Sequence, residues 1–238
     1  MDSLDPVVRG TFAAALLGAL RSGCPGSDAG LRGSLARGTA DAYSDIDVAW
    51  TVPEAGFGAA LVRVPVILGG IRPLASLRVD PELRDAPDRR LFFASFTGLP
   101  LFWRLDLEVR ATSVTGLGEA ARPCAAAPDS DSDPGPDPDP DSDSGPGPDP
   151  DSDWSLAASA LANGVAAVKA VLRDRPDTAR GLLERGFARV GAPASLTGRW
   201  PDDITRLADA AARAEPAQRA LAEQVRALAY EHLAEGGG

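Results

Sequence analysis

Residues 125–153 divide this chain. They are almost entirely Ala, Pro, Asp, Ser and Gly, and residues 129–153 hold ten Asp and no Lys or Arg. A ten-residue unit is imperfectly repeated, as DSDPGPDPDP from Asp131 and DSDSGPGPDP from Asp141. Proline stiffness and like-charge repulsion keep such a stretch extended, and it has too few apolar side chains to bury a core. Regular Asp spacing does not by itself make a calcium loop, whose ligands must be closed around one ion by a folded frame. The segment reads as a spacer, which leaves residues 1–124 and 154–238 as two folding units.

The spacer also explains the charge. The formal net charge is −10, from 34 acidic and 24 basic residues. Without the ten spacer Asp, 24 acidic residues face 24 basic ones. A near-neutral body lacks the basic surface that long nucleic acids require, so none is expected as a partner. Cys24 and Cys124 are far apart and have no metal-ligand spacing. The N-terminus is acidic at Asp2 and Asp5 and lacks a basic leader, and no run reads as long enough to cross a bilayer. A cytoplasmic protein with no membrane association is expected, as a monomer or a homodimer. The single histidine, His232, argues against His-ligated zinc and a Ser-His-Asp triad. It reads as an exposed residue near a helix C-terminus.

In the first unit, Asp5-Pro6 suits an N-cap and first helical position, and Val8, Phe12, Leu16, Leu17 and Leu20 form an apolar stripe. Leu31 closes a short strand. Residues 45–52 (DIDVAWTV), 74–80, 90–96 and 100–111 read as strands, the last two joined as a hairpin around Thr97-Gly98-Leu99. A helix is expected over residues 57–68. The second unit reads as helical throughout, over 155–172, 178–190, 202–213 and 217–233, punctuated by Pro176, Gly191-Ala192-Pro193 and Pro201. The fold class is therefore α+β: a mixed β-sheet flanked by helices, followed by an all-α helical bundle.

The most specific stretch is GSLARGTADAYSDIDV, residues 33–48. On a strand, Asp45 and Asp47 share one face while Ile46, Val48, Trp50 and Val52 share the other. Adjacent carboxylates repel, and ionised carboxylates are costly to bury unless paired or metal-bound. A hard divalent cation such as Mg2+, which takes oxygen ligands and shares them with phosphates, suits the pair. Upstream, Gly33 permits close backbone approach and Gly33-Ser34 offers amides to a phosphate. A phosphate cradle beside two carboxylates suggests nucleotidyl transfer. The plainer account, a solvated loop entering an edge strand, leaves the order Gly-Ser, Arg, Asp-x-Asp unexplained.

At these residues the chain resembles the nucleotidyltransferase superfamily typified by DNA polymerase beta, and within it the bacterial aminoglycoside and lincosamide nucleotidyltransferases. The family pattern is Gly-Ser, about ten residues, Asp-x-Asp between apolar residues, then a third carboxylate on a later strand. The resemblance implies residues 1–124 as a catalytic domain and 154–238 as a helical domain that helps close over the nucleotide or build the acceptor site. It implies Asp45, Asp47 and Asp106 as metal-holding catalytic acids, with Glu108, which has the same facing, as the alternative third acid. Gly33 and Ser34 are then expected to grip the triphosphate, Ser34 through its hydroxyl and backbone. Arg37 is expected either to contact the triphosphate or to pair with Asp41. Lys169 is either a triphosphate contact or a solvated helix side chain. The implied reaction moves a nucleoside monophosphate from an NTP, with ATP expected, to a hydroxyl of a small aminoglycoside-like molecule, using Mg2+ and releasing pyrophosphate. Antibiotic resistance is the associated role. A protein or tRNA acceptor, and a catalytically silent nucleotide-binding module, are the alternatives.

Overall fold

The computed structural model of the chain describes residues 4–112 and 155–234. The spacer and its duplication lie outside the described residues.

The first helix, α1, spans Pro6–Gly23, and the Asp5 carboxylate accepts the Val7 amide at 2.8 Å to cap it. Its buried face is Phe12, Ala13, Leu16 and Leu20, with Arg9 also buried. Val8, counted in the apolar stripe above, is exposed, because the packed face is rotated towards Arg9 and Ala13. Strand β1 (Asp28–Leu31), the short helix α2 (Gly33–Arg37) and strand β2 (Ile46–Val52) follow. Helix α3 spans Phe57–Ile71 and carries Pro65 inside it, three residues longer than the sequence reading. Pro65 is exposed, so its missing amide faces water rather than core. Strands β3 (Leu74–Val79), β4 (Arg89–Phe96) and β5 (Leu105–Ala111) complete the sheet. β5 starts five residues later than expected: Phe102 and Trp103 are buried in the connection, where the Trp103 amide bonds back to Pro100.

The sheet is mixed, in the order β1-β2-β5-β4-β3. β2 and β5 are parallel and all other neighbours antiparallel. Its core face is built by alternation. Ile46, Val48, Trp50 and Val52 of β2 lie beside Leu105, Leu107, Val109 and Ala111 of β5, all buried under α1 and α3. Phe12 meets Phe96 edge-on at 4.8 Å between ring centroids. Burial of side chains this size stabilises by roughly 1.5–3 kcal/mol each, which fixes the register. The register leaves the alternate residues of β2, β4 and β5 on the opposite face, where the polar groups gather.

The second region is a bundle of four helices: α4 (Leu156–Leu172), α5 (Pro176–Arg189), α6 (Trp200–Ala214) and α7 (Arg219–Leu233). α4 packs against the other three. Ile204, Leu207, Val225 and Leu228, apolar positions at helical spacing, are buried, and Leu221 beside them is half-buried. His232 is half-buried rather than exposed, its ring 5.1 Å from Phe102 and 6.4 Å from Tyr43. The segment Glu54–Ile71 is long and apolar enough to cross a bilayer by length and composition, which corrects the reading that no run is. Here it packs Phe57, Ala60, Val64 and Leu68 into the core under the sheet.

Candidate functional site

The register of β2 and β5 places Asp47 directly beside Asp106. Asp45 sits just before β2, which begins at Ile46, and the Ile46 amide bonds the Arg104 carbonyl at 2.9 Å. The three predicted carboxylates are thus gathered at one end of two neighbouring parallel strands. Glu108 lies one pleat further along β5, opposite Ala49, held by Arg32 and by Arg110 at 2.6 Å. Burial alone would raise its pKa, but the hydrogen bond from Arg110 and the nearby arginines bring it below the ordinary value. Of the two alternatives for a third acid, Asp106 is the one in register with Asp47.

Each carboxylate has a different environment. Asp106 accepts a bidentate pair from Arg104, at 2.7 and 2.8 Å. Burial opposes the Arg104 charge, but the carboxylates of Asp106, Asp45 and Asp47 raise its pKa above the ordinary value. Asp45 accepts from Lys169 Nζ at 2.5 Å. The Asp47 side chain makes no hydrogen bond or ion pair with any described residue. Burial, then Asp106, then Asp45 push its pKa up.

Gly33 explains how Asp47 is accommodated. It opens α2 with φ of +58°, and a Cβ added there would lie 2.0 Å from Asp47 Oδ2. Only glycine fits both the backbone and the contact. The chain is tied down on the other side as well, since the Arg32 amide bonds the Asp47 carbonyl at 2.8 Å. Ser34 is half-buried in the first turn of α2, and its carbonyl accepts the Thr39 amide at 3.0 Å. Gly33-Ser34 therefore starts a helix rather than forming a free turn.

The loop before Asp45 is gripped from three directions. Arg9 of α1 bonds the carbonyls of Asp41 and Ser44, at 2.5 and 3.2 Å. Trp103 donates its indole N–H to the Ala42 carbonyl at 3.0 Å. Arg173, the C-cap residue of α4, binds Asp41 bidentately at 2.7 and 2.8 Å. That last contact holds the Asp41 carboxyl well below its usual range and displaces the Arg37–Asp41 pairing weighed from sequence. Arg37 is exposed and makes no ion pair to a described residue.

Lys169 is the largest departure from its plain reading. It is 7% exposed, not solvated, and faces the sheet from α4. Burial lowers its pKa against the pull of Asp45. Arg173, one turn further on at the C-cap of α4, carries a role the sequence reading does not assign it. The signal was present: Lys169 and Arg173 are four apart, so they share a helix face.

Two cavities meet at Asp45. One, of about 1000 Å³, is polar and contains Gly33, Ser34, Asp47 and Asp106 with Arg32, Arg37, Arg173 and Arg175 around them. The other, of about 360 Å³, runs between the sheet and α4 and contains Arg104 and Lys169. Among the described residues no group of three or more His, Cys, Asp or Glu is disposed to hold a metal ion. The donors present are nonetheless of the right kind: Asp47 offers an uncommitted carboxylate beside Asp106. Magnesium commonly takes only one or two protein carboxylates when phosphates supply the remaining oxygens.

Comparison with family models, with curated proteins and with solved structures finds no match. The resemblance noted from the sequence therefore rests on residues 33–48 and the third carboxylate alone.

Proposed function

We propose that the chain is a nucleotidyltransferase that moves a nucleoside monophosphate from an NTP to a hydroxyl group. The observation that carries this reading is Asp47 beside Asp106 on adjacent parallel strands, with Asp45 next to them, at the floor of an arginine-rimmed cavity. On this reading residues 4–112 form the catalytic domain and 155–234 a domain that closes its open side.

The polar cavity would take the triphosphate. Arg37 and Arg175 are the arginines there with no ion pair to a described residue, and guanidinium matches phosphate geometry. Gly33 and Ser34 would lie along the phosphates. Asp47 and Asp106, with Asp45 once Lys169 is drawn away, are the residues that would hold Mg2+. Bound magnesium would neutralise the charge on the triphosphate. The acceptor oxygen then bonds to the α-phosphorus as the bond from that phosphorus to the β-phosphate bridging oxygen breaks. Pyrophosphate departs, and the hydroxyl proton passes to a site carboxylate. Lys169, once released from Asp45, would be free to pair with a phosphate.

A second reading, a catalytically silent nucleotide-binding module, draws on one observation: Asp45 and Asp106 already carry internal cations. A single assay separates the two. Mg2+-dependent pyrophosphate release is measured from each of the four NTPs with pooled hydroxyl acceptors, including aminoglycosides and lincosamides, for wild type and Asp47→Asn. Acceptor-dependent release by wild type alone supports transfer. NTP binding without release from any pool supports the silent module.

A further inference from the structure

The 360 Å³ cavity points to a particular kind of acceptor. Along α4 it is lined by Ser155, Ala158, Ala162, Ala166 and Lys169, spaced by three or four residues and so on one helix face. At 1.5 Å per residue, Ser155 and Lys169 are about 20 Å apart. The cavity is therefore long and narrow, and the alanines leave its room. In its middle Leu77, Phe93 and Leu101 face Leu161 and Val165, and the hydroxyls of Ser76 and Ser95 satisfy each other at 2.6 Å.

Its two ends differ in charge. Towards the Lys169 end Lys169 is matched with Asp45 and Arg104 with Asp106, while Arg78, near Asp106, lays its guanidinium 6.0 Å from the Phe93 ring centroid. A neutral group that can hydrogen-bond, such as a hydroxyl, enters there without leaving a charge exposed. At the other end stands Glu215, half-buried. It accepts from the Ser155 hydroxyl at 2.5 Å and from Gln218 Nε2 at 2.9 Å. Both donors are neutral, and no cation pairs with Glu215 among the described residues. A carboxylate has about four acceptor positions, so capacity and charge remain for a cationic nitrogen.

We infer that this cavity binds an elongated, largely apolar molecule carrying a hydroxyl at its Lys169 end and a single cationic amine at its Glu215 end. This class differs from the polycationic, polar aminoglycosides. The inference rests on the nucleotidyl-transfer reading only in calling that molecule the acceptor; binding itself does not depend on it.

The test uses the full chain and isothermal titration calorimetry without nucleotide or magnesium. The probes are 10-aminodecan-1-ol, decane-1,10-diol and 10-hydroxydecanoic acid. The amino alcohol is expected to bind about tenfold tighter than the hydroxy acid, with the diol between them. Glu215→Gln should bring amino alcohol and diol to the same affinity. Ala162→Phe, which plugs the apolar middle, should abolish binding of all three, with circular dichroism and Tm reporting that the fold is kept. Should Ala162→Phe not fold, Glu215→Gln still decides. A hydroxy acid that binds as tightly as the amino alcohol, retention of the preference in Glu215→Gln, or no binding by any probe would each overturn the inference. Pyrophosphate release with the amino alcohol is assayed separately. Binding without release counts against nucleotidyl transfer and leaves the cavity assignment standing. Release with other acceptors but no binding of the probes counts against the cavity assignment alone.

Discussion

The two cavities that meet at Asp45 are lined by different materials. The polar one takes its walls mainly from a short run of sequence: Gly33, Ser34, Arg37, Asp45 and Asp47 lie within fifteen residues, joined by Asp106 through strand pairing. The narrow one has no such run. It is made where α4 lies across the sheet, from residues between Asp45 and Leu221. Electrostatics differ in step. In the polar cavity the Asp47 carboxylate has no hydrogen-bond or ion-pair partner among the described residues, and burial and its acidic neighbours raise its pKa. In the narrow one Lys169 and Arg104 pair with Asp45 and Asp106, Arg78 lies over the Phe93 ring, and Glu215 has no cation partner among the described residues. A carboxylate held at a cost in desolvation and like-charge repulsion is a feature to expect where a cation is to arrive. Paired charges around an apolar tube suit a ligand recognised by shape.

The sharpest way to break this contrast is Asp47→Asn. Since the Asp47 side chain makes no hydrogen bond to a described residue, its replacement should leave Tm unchanged or slightly higher, while pyrophosphate release falls by about a thousandfold, the scale of losing one preorganised electrostatic group. Loss of Tm with retained release would make Asp47 structural and end the proposal.

Gly33→Ala comes next. The new Cβ meets Asp47 Oδ2 in a left-handed backbone, so stability should drop by about 1–3 kcal/mol in chemical denaturation and activity should fall with it. A neutral result would mean that α2 and β2 are less tightly joined than their contacts require.

Lys169→Met keeps volume and removes the charge, leaving Asp45 without its cation. Breaking a buried pair costs up to several kcal/mol, but Asp45 is 29% exposed and water relieves part of it, so about 1–2 kcal/mol is expected. Magnesium should restore more of that stability in the variant than in wild type, because the ion no longer competes with Lys169.

Arg173→Ala tests the second tie between α4 and the loop at Asp41, and its signature is in pH. The folded Asp41 pKa lies below the ordinary 3.8 because of the Arg173 hydrogen bonds. The ion pair therefore contributes fully above pH 4, and its contribution is lost as pH falls through the lower folded value. The Tm deficit of the variant should be constant from pH 5 to 8 and shrink below pH 4. A deficit that is the same at pH 3 and pH 7 would remove Asp41 as its source.

The smallest effect is expected from Arg37→Ala. An exposed residue with no ion pair should change stability by less than about 0.5 kcal/mol, yet raise KM for the NTP severalfold. An unchanged KM would take Arg37 out of the phosphate site.

Much of the chain was legible because its signals are local. Alternation in IDVAWTV predicted which face of β2 is buried, and Asp5-Pro6 predicted the start of α1. All four bundle helices fall within two residues of their expected ends, since Pro and Gly interrupt the helical period there. Other positions depended on partners remote in sequence. Arg9 reads as a polar position on an amphipathic helix, but it is buried because the 41–44 loop offers it carbonyls. His232 looked exposed because Phe102 and Tyr43, which cover it, come from another part of the chain.

By itself, then, the sequence determined most of the elements, though not α2, and it picked out the candidate acids: a two-residue period places Asp45 and Asp47 on one face whatever surrounds them. It could not choose between Asp106 and Glu108, which share a facing on β5. The parallel register sets Asp106 beside Asp47 and leaves Glu108 to Arg32 and Arg110. Nor could it tell a solvated Lys169 from a buried one, because a lysine on an amphipathic helix reads the same either way. Packing α4 across the sheet decided that, since burying an ammonium is tolerable only against a carboxylate, and Asp45 is the one the fold brings to it.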